Sequence, residues 1–190
     1  MISLLSITYV TGNIMKIKTA KEFLEPLGIN VDYIKLKDLP EIQADTTEEI
    51  AIFSSKYASE KLGKSVLKND SALVIPALNN FPGPYTKYVE ETITEDGILK
   101  LMKDIENRYC YWVEVLAYTE HNGETHTFTS ITEGSIAYEK DGEYGWGYDH
   151  IFIPKGENKV FSCYTDEERV KFFDNKAYAL LADYLKTKQD

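Results

Sequence analysis

This sequence predicts an α/β fold on a mixed, partly antiparallel, elongated sheet flanked by helices, and three observations predict it. Buried-strand and amphipathic-helix patterns alternate through the first third of the chain, as they do where parallel strands are joined by helical crossovers. A long hairpin pattern brackets Asn122-Gly123, a strong two-residue turn signal, so the second half of the sheet is antiparallel. A capping-box pattern, Thr165-Asp166-Glu167-Glu168, then opens a terminal helical region.

Taken in order, residues 4–11 ("LLSITYVT") read as a buried strand that Gly12-Asn13 breaks. Ile14, Ile17, Ala20, Leu24 and Leu27 follow at helical spacing, with Gly28 as the C-cap. Residues 29–36 are a second strand. A turn-rich acidic loop around Pro40 and Glu41 leads to a helix capped near residues 45–47 and packed through Ile50, Phe53 and Tyr57. Residues 65–68 form a short strand, and the Pro- and Gly-rich stretch after it argues against a long regular element. Thr94, with Glu95 and Asp96, opens a helix that uses Ile98, Leu99, Met102 and Ile105. Residues 109–120 and 125–138 make the hairpin, and "GWGYDHIFIP" is a glycine-broken loop entering a strand. The terminal helix runs through Val170, Phe173, Ala177, Leu180, Leu181 and Tyr184, which makes Phe173 a core residue.

Composition bounds the function. The 190 residues carry 21 Lys+Arg against 31 Asp+Glu, a net charge of −10. Such a surplus of anions works against binding nucleic acid or an anionic membrane. With 43% hydrophobic and 13% aromatic residues the chain folds, and its length suits a single domain, residues 1–190. Its apolar runs are far below the ~20 residues that span a bilayer. Two cysteines, Cys110 and Cys163, and no secretory leader pattern point to a cytoplasmic protein with reduced thiols. The charge is uneven: residues 1–90 have 10 lysines against 11 acids, while the rest of the chain holds most of the acidic excess. A phosphate site therefore belongs in the first half.

Several constellations could carry chemistry. "TGNIMK" sets Thr11, Gly12 and Asn13 between a strand end and a helix N-terminus, with Lys16 one turn in. That arrangement suits an anion, and it suits an ordinary turn with a solvated lysine equally well. Glu41 and Asp70 each sit in loop-like surroundings, where they read either as carboxylate ligands for a hard cation or as turn caps. "FPGPYTKYV" is a stiff loop presenting Tyr85 and Lys87. "GWGYDHIF" places Trp146 between glycines, with Asp149 and His150 after it; Trp146 reads as a stacking platform for a base or as a core tryptophan. The histidines share no zinc-ligand spacing. The glycine-rich kinase and dinucleotide motifs and the serine-hydrolase elbow are missing from the sequence.

In order, "TGNIMK" (11–16), "LPEIQ" (39–43), Lys56 within a helix, "NDSAL" (69–73), "FPGPYTK" (81–87) and "GWGYDHIF" (145–152) resemble the signature series of the inosine triphosphate pyrophosphatase family, of which this chain looks like a diverged member. The resemblance covers nearly the whole chain. It implies two α/β lobes with a central cleft, a Mg²⁺-bound triphosphate, a homodimer, and hydrolysis of non-canonical purine nucleoside triphosphates to monophosphate and pyrophosphate. By the same resemblance Thr11, Asn13, Lys16, Lys56, Tyr85 and Lys87 bind the triphosphate, while Glu41 and Asp70 hold the metal. Asp70 also activates water, Trp146 stacks on the base, and Asp149 lines its pocket. Water attack on a phosphate with metal and lysines around it needs no covalent nucleophile.

The chain also departs from that family. Asn69-Asp70 stands where two adjacent acids are usual, so one negative charge is missing. Glu168 falls where a lysine is expected, and Phe172-Phe173-Asp174 where Ser-His-Arg is expected. On this alignment the base-reading donors are gone, which predicts altered or relaxed base preference. The alternative is a weakly active or inactive relative that binds a nucleotide or a protein.

Overall fold

The computed structural model describes residues 5–188. In chain order its elements are β1 (Leu5–Val10), α1 (Ile14–Leu24), β2 (Ile29–Ile34), α2 (Thr47–Leu62), β3 (Val66–Ile75), β4 (Phe81–Pro82) and α3 (Thr86–Thr92). They continue with α4 (Thr94–Leu101), β5 (Tyr109–Thr119), β6 (Thr125–Ile136), β7 (Phe152–Pro154), α5 (Asp166–Arg169) and α6 (Lys176–Thr187). The strands hydrogen-bond in the order β2-β1-β3-β5-β6-β7, with β4 added to β3. β1 is parallel to β2 and β3, whereas β4 and β7 pair antiparallel with β3 and β6. The mixed, helix-flanked sheet is the one expected. The first strand's predicted start, Leu4, lies outside the described residues.

The chain divides into two compact units, the first made of Met1–Asp70, Glu114–Ser130 and Asn175–Asp190, the second of Ser71–Val113 and Ile131–Asp174. In the first unit Ile7 and Tyr9 of β1, Leu67 of β3 and Leu116 of β5 bury against Ala20 and Leu24 of α1 and Tyr178, Leu181 and Leu185 of α6. Val10 and Val66 pack instead with Ala58 of α2. Side chains alternate along a strand, so Leu67 and Asn69 share the α1 and α6 side while Val66, Lys68 and Asp70 share the α2 side.

α1 starts where Asn13 Oδ1 accepts the backbone N–H groups of Met15 (2.9 Å) and Lys16 (3.3 Å). α2 starts at a capping box: Thr46 Oγ1 accepts from Glu49 N–H at 3.2 Å, and Glu49 returns a carboxylate to the Thr46 N–H at 3.0 Å. The expected packing stripe of α2 is corrected. Its buried face consists of the small residues Ala51, Ser54, Ser55, Ala58 and Ser59, while Phe53 and Tyr57 stack on each other at 6.4 Å, with Phe53 exposed. Small residues let the helix axis approach the sheet, and that requirement overrides hydrophobic periodicity.

In the second unit Leu73 and Ile75 of β3 pack with Val89 of α3, Ile98 of α4, Cys110 of β5, Ile136 of β6, Tyr148, Phe152 and Phe161. Three expectations change in and around this unit. β3 does not stop at residue 68 but runs ten residues to Ile75, straight through Asn69-Asp70-Ser71. The stiff "FPGPYTK" segment passes into a helix, α3. The terminal helix is broken: α5 has four residues, Phe173 is extended (φ −75°, ψ 134°), and α6 starts at Lys176. The break has a cause. Asp174 accepts the Ile131 N–H (3.1 Å) and donates its own N–H to Thr132 Oγ1 (3.1 Å), which ties the segment to β6. Phe173 is therefore not on a helical core stripe; it lies against the Phe161 ring at 5.4 Å and is 39% exposed.

Candidate active site

The first unit gathers charge at the end of β1 and the middle of β3. Thr11 follows β1 and accepts the Asn13 N–H on its hydroxyl at 3.1 Å, closing the turn into α1. Asn13 is the N-cap of α1, so the first-turn amide donors are satisfied by its oxygen. The stem of Lys35 covers Gly12 closely: a Cβ there would lie 3.0 Å from Lys35 Cδ. Further along β3, Lys68 has its pKa lowered to about 8, first by burial and then by repulsion from Lys16, with Asp70 and Glu41 opposing the drop. That pattern brings Lys16, Glu41 and Asp70, from three separate segments, to bear on one ammonium group. Two carboxylates are hard oxygen donors, the chemistry a Mg²⁺ ion takes. Lys56 lies exposed on α2. The absence of a second acid beside Asp70 is real, and Asn69 is buried, its Nδ2 donating to Glu114 Oε1 at 2.7 Å.

The second unit builds a different site around Trp146, which is 65% exposed. Gly145 and Gly147 on either side both have positive φ, +73° and +53°. A Cβ on Gly145 would meet Asp149 Oδ2 at 2.2 Å and Arg169 Nη1 at 2.4 Å, and one on Gly147 would meet Glu90 Oε1 at 1.6 Å. Glycine is required at both places by conformation and by these carboxylates. Asp149 Oδ2 accepts the Trp146 N–H at 3.2 Å and Arg169 Nη1 at 2.6 Å; Arg169 also pairs with Asp166. Burial raises the pKa of Asp149, and the Trp146 amide and the Arg169 guanidinium oppose that rise. Beneath the loop, the Tyr148 hydroxyl donates to the Thr86 carbonyl at 2.9 Å, while Thr86 Oγ1 donates to the Gly83 carbonyl at 2.7 Å. The Trp146 loop is thus pinned to the segment bearing Tyr85 and Lys87, both exposed.

Sequence reasoning missed Lys68, Glu90, Glu114 and Arg169. Beside Asp149, α5 supplies a guanidinium, that of Arg169, which the expectation of lost base-reading donors at Phe172, Phe173 and Asp174 did not consider. The signal was the Arg in the last turn of the capping-box helix, which reaches back to an aspartate twenty positions earlier. At the tip of the hairpin, Glu120, Glu124 and His126 could also hold a metal ion, although Lys188 Nζ already lies 2.9 Å from Glu120. Among the described residues no helix is long and apolar enough to cross a membrane.

Glu90 carries a testable consequence. Its carboxyl is pushed up to about 7 by burial first, then by the neighbouring Asp149, Glu95 and Glu91 charges, and the Tyr148 N–H offsets part of this. A carboxyl whose folded pKa exceeds its unfolded value contributes stability that is fully present below the unfolded pKa and is lost as pH rises through the folded one. The full shift corresponds to about 3 kcal/mol, but solvent screening of this half-exposed group cuts that, so the protein should lose about 1–2 kcal/mol from it between roughly pH 4.5 and 7. Glu90→Gln should flatten that slope and raise Tm at pH 8 by about 2–6 °C. Thermal melts of both proteins across that pH range check it, and parallel curves would remove the effect from Glu90.

The sheet order and the flanking helices define an α/β scaffold of mixed strand direction. The model of the Ham1 family matches residues 7–182. The chain is 44% identical over 183 residues to a dITP/XTP pyrophosphatase of Methanopyrus kandleri, covering 96% of this chain and 97% of that one. It is 41% identical over 163 residues to the dITP/XTP pyrophosphatase of Thermococcus kodakarensis, covering 86% and 87%. Among solved structures it is similar to the Staphylococcus aureus Ham1 protein, with TM-score 0.79 and 29% identity over 96% of this chain and 99% of that one. The Coxiella burnetii HAM1 protein gives TM-score 0.81 and 26% identity at the same coverage. This chain belongs to the Ham1 family.

Proposed function

We propose that the protein hydrolyses non-canonical purine nucleoside triphosphates to the monophosphate and pyrophosphate. The observation that carries this reading is the match to named dITP/XTP pyrophosphatases along nearly the whole chain, and the charges of Lys16, Glu41 and Asp70 that Lys68 feels agree with it. Thr11, Asn13, Lys16 and Lys56 bind the phosphates, and the family resemblance adds Tyr85 and Lys87 to them. Glu41 and Asp70 would hold Mg²⁺, which when bound supplies positive charge for the phosphate oxygens. Asp70 takes the proton of a water whose oxygen attacks the α-phosphorus. The bond from that phosphorus to the bridging oxygen breaks, and the electron pair leaves with pyrophosphate. Lys16 and Lys68 stabilise the developing charge. Trp146 stacks on the base, while Asp149 and Arg169 offer an acceptor and donors to its edge. Free Cys110 and Cys163 fit a reducing cytoplasm, and the family resemblance extends the reading to a homodimer.

The test is release of pyrophosphate, as distinct from orthophosphate, over a panel of ITP, XTP, dITP, GTP and ATP with and without Mg²⁺. Metal-dependent pyrophosphate release supports the reading; a nucleotide-induced thermal shift with no turnover on any of the panel sinks it.

The lysines give a second expected result. Lys16→Ala and Lys56→Ala should each weaken triphosphate binding far more than monophosphate binding, and the triphosphate affinity of the parent should fall with added salt. Titration calorimetry with a non-hydrolysable triphosphate and the matching monophosphate reads both. Unchanged triphosphate affinity in both variants would place the phosphate site elsewhere.

A further inference from the structure

Behind Asp70, on the side of the sheet that carries α1 and α6, lies a carboxylate that the proposed hydrolysis does not use. Glu114 is on β5, next to β3, and its Oε1 accepts from Asn69 Nδ2 at 2.7 Å and from the Tyr178 hydroxyl at 3.5 Å. Leu67, Leu116, Tyr9 and Tyr178, all buried, surround this part of the sheet. Burial raises the pKa of Glu114, while the charge of Lys16, the Asn69 amide and the Tyr178 hydroxyl pull it back. A carboxylate kept among such residues costs desolvation that a leucine there would not.

Asn69-Asp70-Ser71 is also an unfavourable stretch for the middle of a ten-residue strand, since Asn and Asp are depleted in strands. A cross-strand, charge-assisted bond at the short end of the normal range offsets that weakness at Asn69. Successive Cα atoms are about 3.8 Å apart, so whatever fixes Asn69 fixes the pleat from which Asp70 projects on the other side. The carboxyl group missing beside Asp70 is thus present one strand away, on the partner that Asn69 holds.

We infer that Glu114 is a positioning residue of the hydrolytic site: through Asn69 it fixes Asp70 in β3, and it carries, one strand away, the carboxyl group that position 69 lacks. This rests on the pyrophosphohydrolase reading, and the parent protein keeps the two separable. If the parent releases no pyrophosphate, that reading fails; if the parent is active, the variants decide the role of Glu114.

Three variants test it, each checked for its fold by thermal melting: Glu114→Gln, Asn69→Ala and the exchange Asn69→Asp with Glu114→Gln. The exchange keeps one hydrogen bond between the two side chains, reverses its direction and moves the charge onto β3. Glu114→Gln and Asn69→Ala should each lower kcat about tenfold or more, with KM changed by less than about threefold, because chemistry and not binding depends on Asp70's position. The exchange should recover kcat to within about threefold of the parent. Should Glu114→Gln fail to fold, Asn69→Ala cuts the same link and the exchange still tests the charge. A lowered Tm with parental kcat in the folded single variants would make Glu114 structural only, and an exchange variant as slow as the single variants would equally overturn the inference.

Discussion

Asp70→Asn should lower pyrophosphate release on the order of 10²-fold or more while the protein melts within a few degrees of the parent, because one side chain is asked both to hold the metal and to take the proton from water. The substitution conserves shape and removes only charge. Asp70 is partly exposed on β3, and the chain around it is held by the Asn69 bond to Glu114 on the other side of the sheet, so the strand has no need of the Asp70 charge to form. Asp70 also helps Lys68 keep its proton, so the variant loses some positive charge at the site together with the carboxylate. Both effects act on turnover. Steady-state rates with saturating Mg²⁺, beside a melt, check the expectation. Near-parental turnover by a folded Asp70→Asn protein would remove Asp70 from the chemistry and leave the Lys16, Glu41 and Lys68 grouping as a binding site alone.

Where local rules agree with tertiary demands, the sequence was readable. The capping boxes at Thr46-Glu49 and Thr165-Glu168 need only neighbours three residues apart, and both form. The turn at Asn122-Gly123 forms too, with Gly123 at φ +89° and the Glu120 and Glu124 backbones bonded across it. The errors lie where one segment depends on another far along the chain. β3 looked interrupted because its middle is a polar triplet: Asn69 turns to Glu114, 45 positions away, and Lys68 and Asp70 turn to the opposite side. The terminal helix looked continuous because its apolar spacing is helical. Asp174 nevertheless prefers two bonds to β6 over a helical conformation, and this displaces Phe173 from the stripe. For α2 the apolar residues with the largest side chains lost the core to alanines and serines, since closeness to the sheet mattered more than side-chain area. The family was legible from the order of its motifs along the chain. Its supporting charges, Lys68, Glu114, Glu90 and Arg169, were not, because each is defined by a partner that no local pattern names.

Arg169 changes the expected base preference. With Phe172, Phe173 and Asp174 in place of donors, selectivity should fall to what stacking allows, and stacking on Trp146, worth ~1–3 kcal/mol per base, is indifferent to base identity. The guanidinium beside Asp149 restores a way to discriminate. In the proposed pose an oxygen at position 6 of a purine would accept from Arg169 while the ring N–H would donate to Asp149, whereas the amino group of adenine would leave a partly buried donor facing a donor. An unpaired buried group costs about 1–3 kcal/mol, so the parent should prefer ITP or XTP over ATP by roughly 10- to 100-fold in kcat/KM. Arg169→Met should reduce that preference below about tenfold, chiefly by lowering kcat/KM for the 6-oxo substrates. Arg169→Lys keeps the charge but not the planar fork that holds Asp149 and Asp166 together, and it should fall between the two. Removing the cation takes away the charged partner of the Asp149 carboxylate and leaves it the Trp146 amide, so the Met variant should also melt lower, and the substrate ratio rather than absolute activity is the quantity to compare. Measuring kcat/KM for ITP, XTP, GTP and ATP in all three proteins decides it: a Met variant that keeps a hundredfold preference for ITP would show that the base is read by groups other than the Asp149–Arg169 pair.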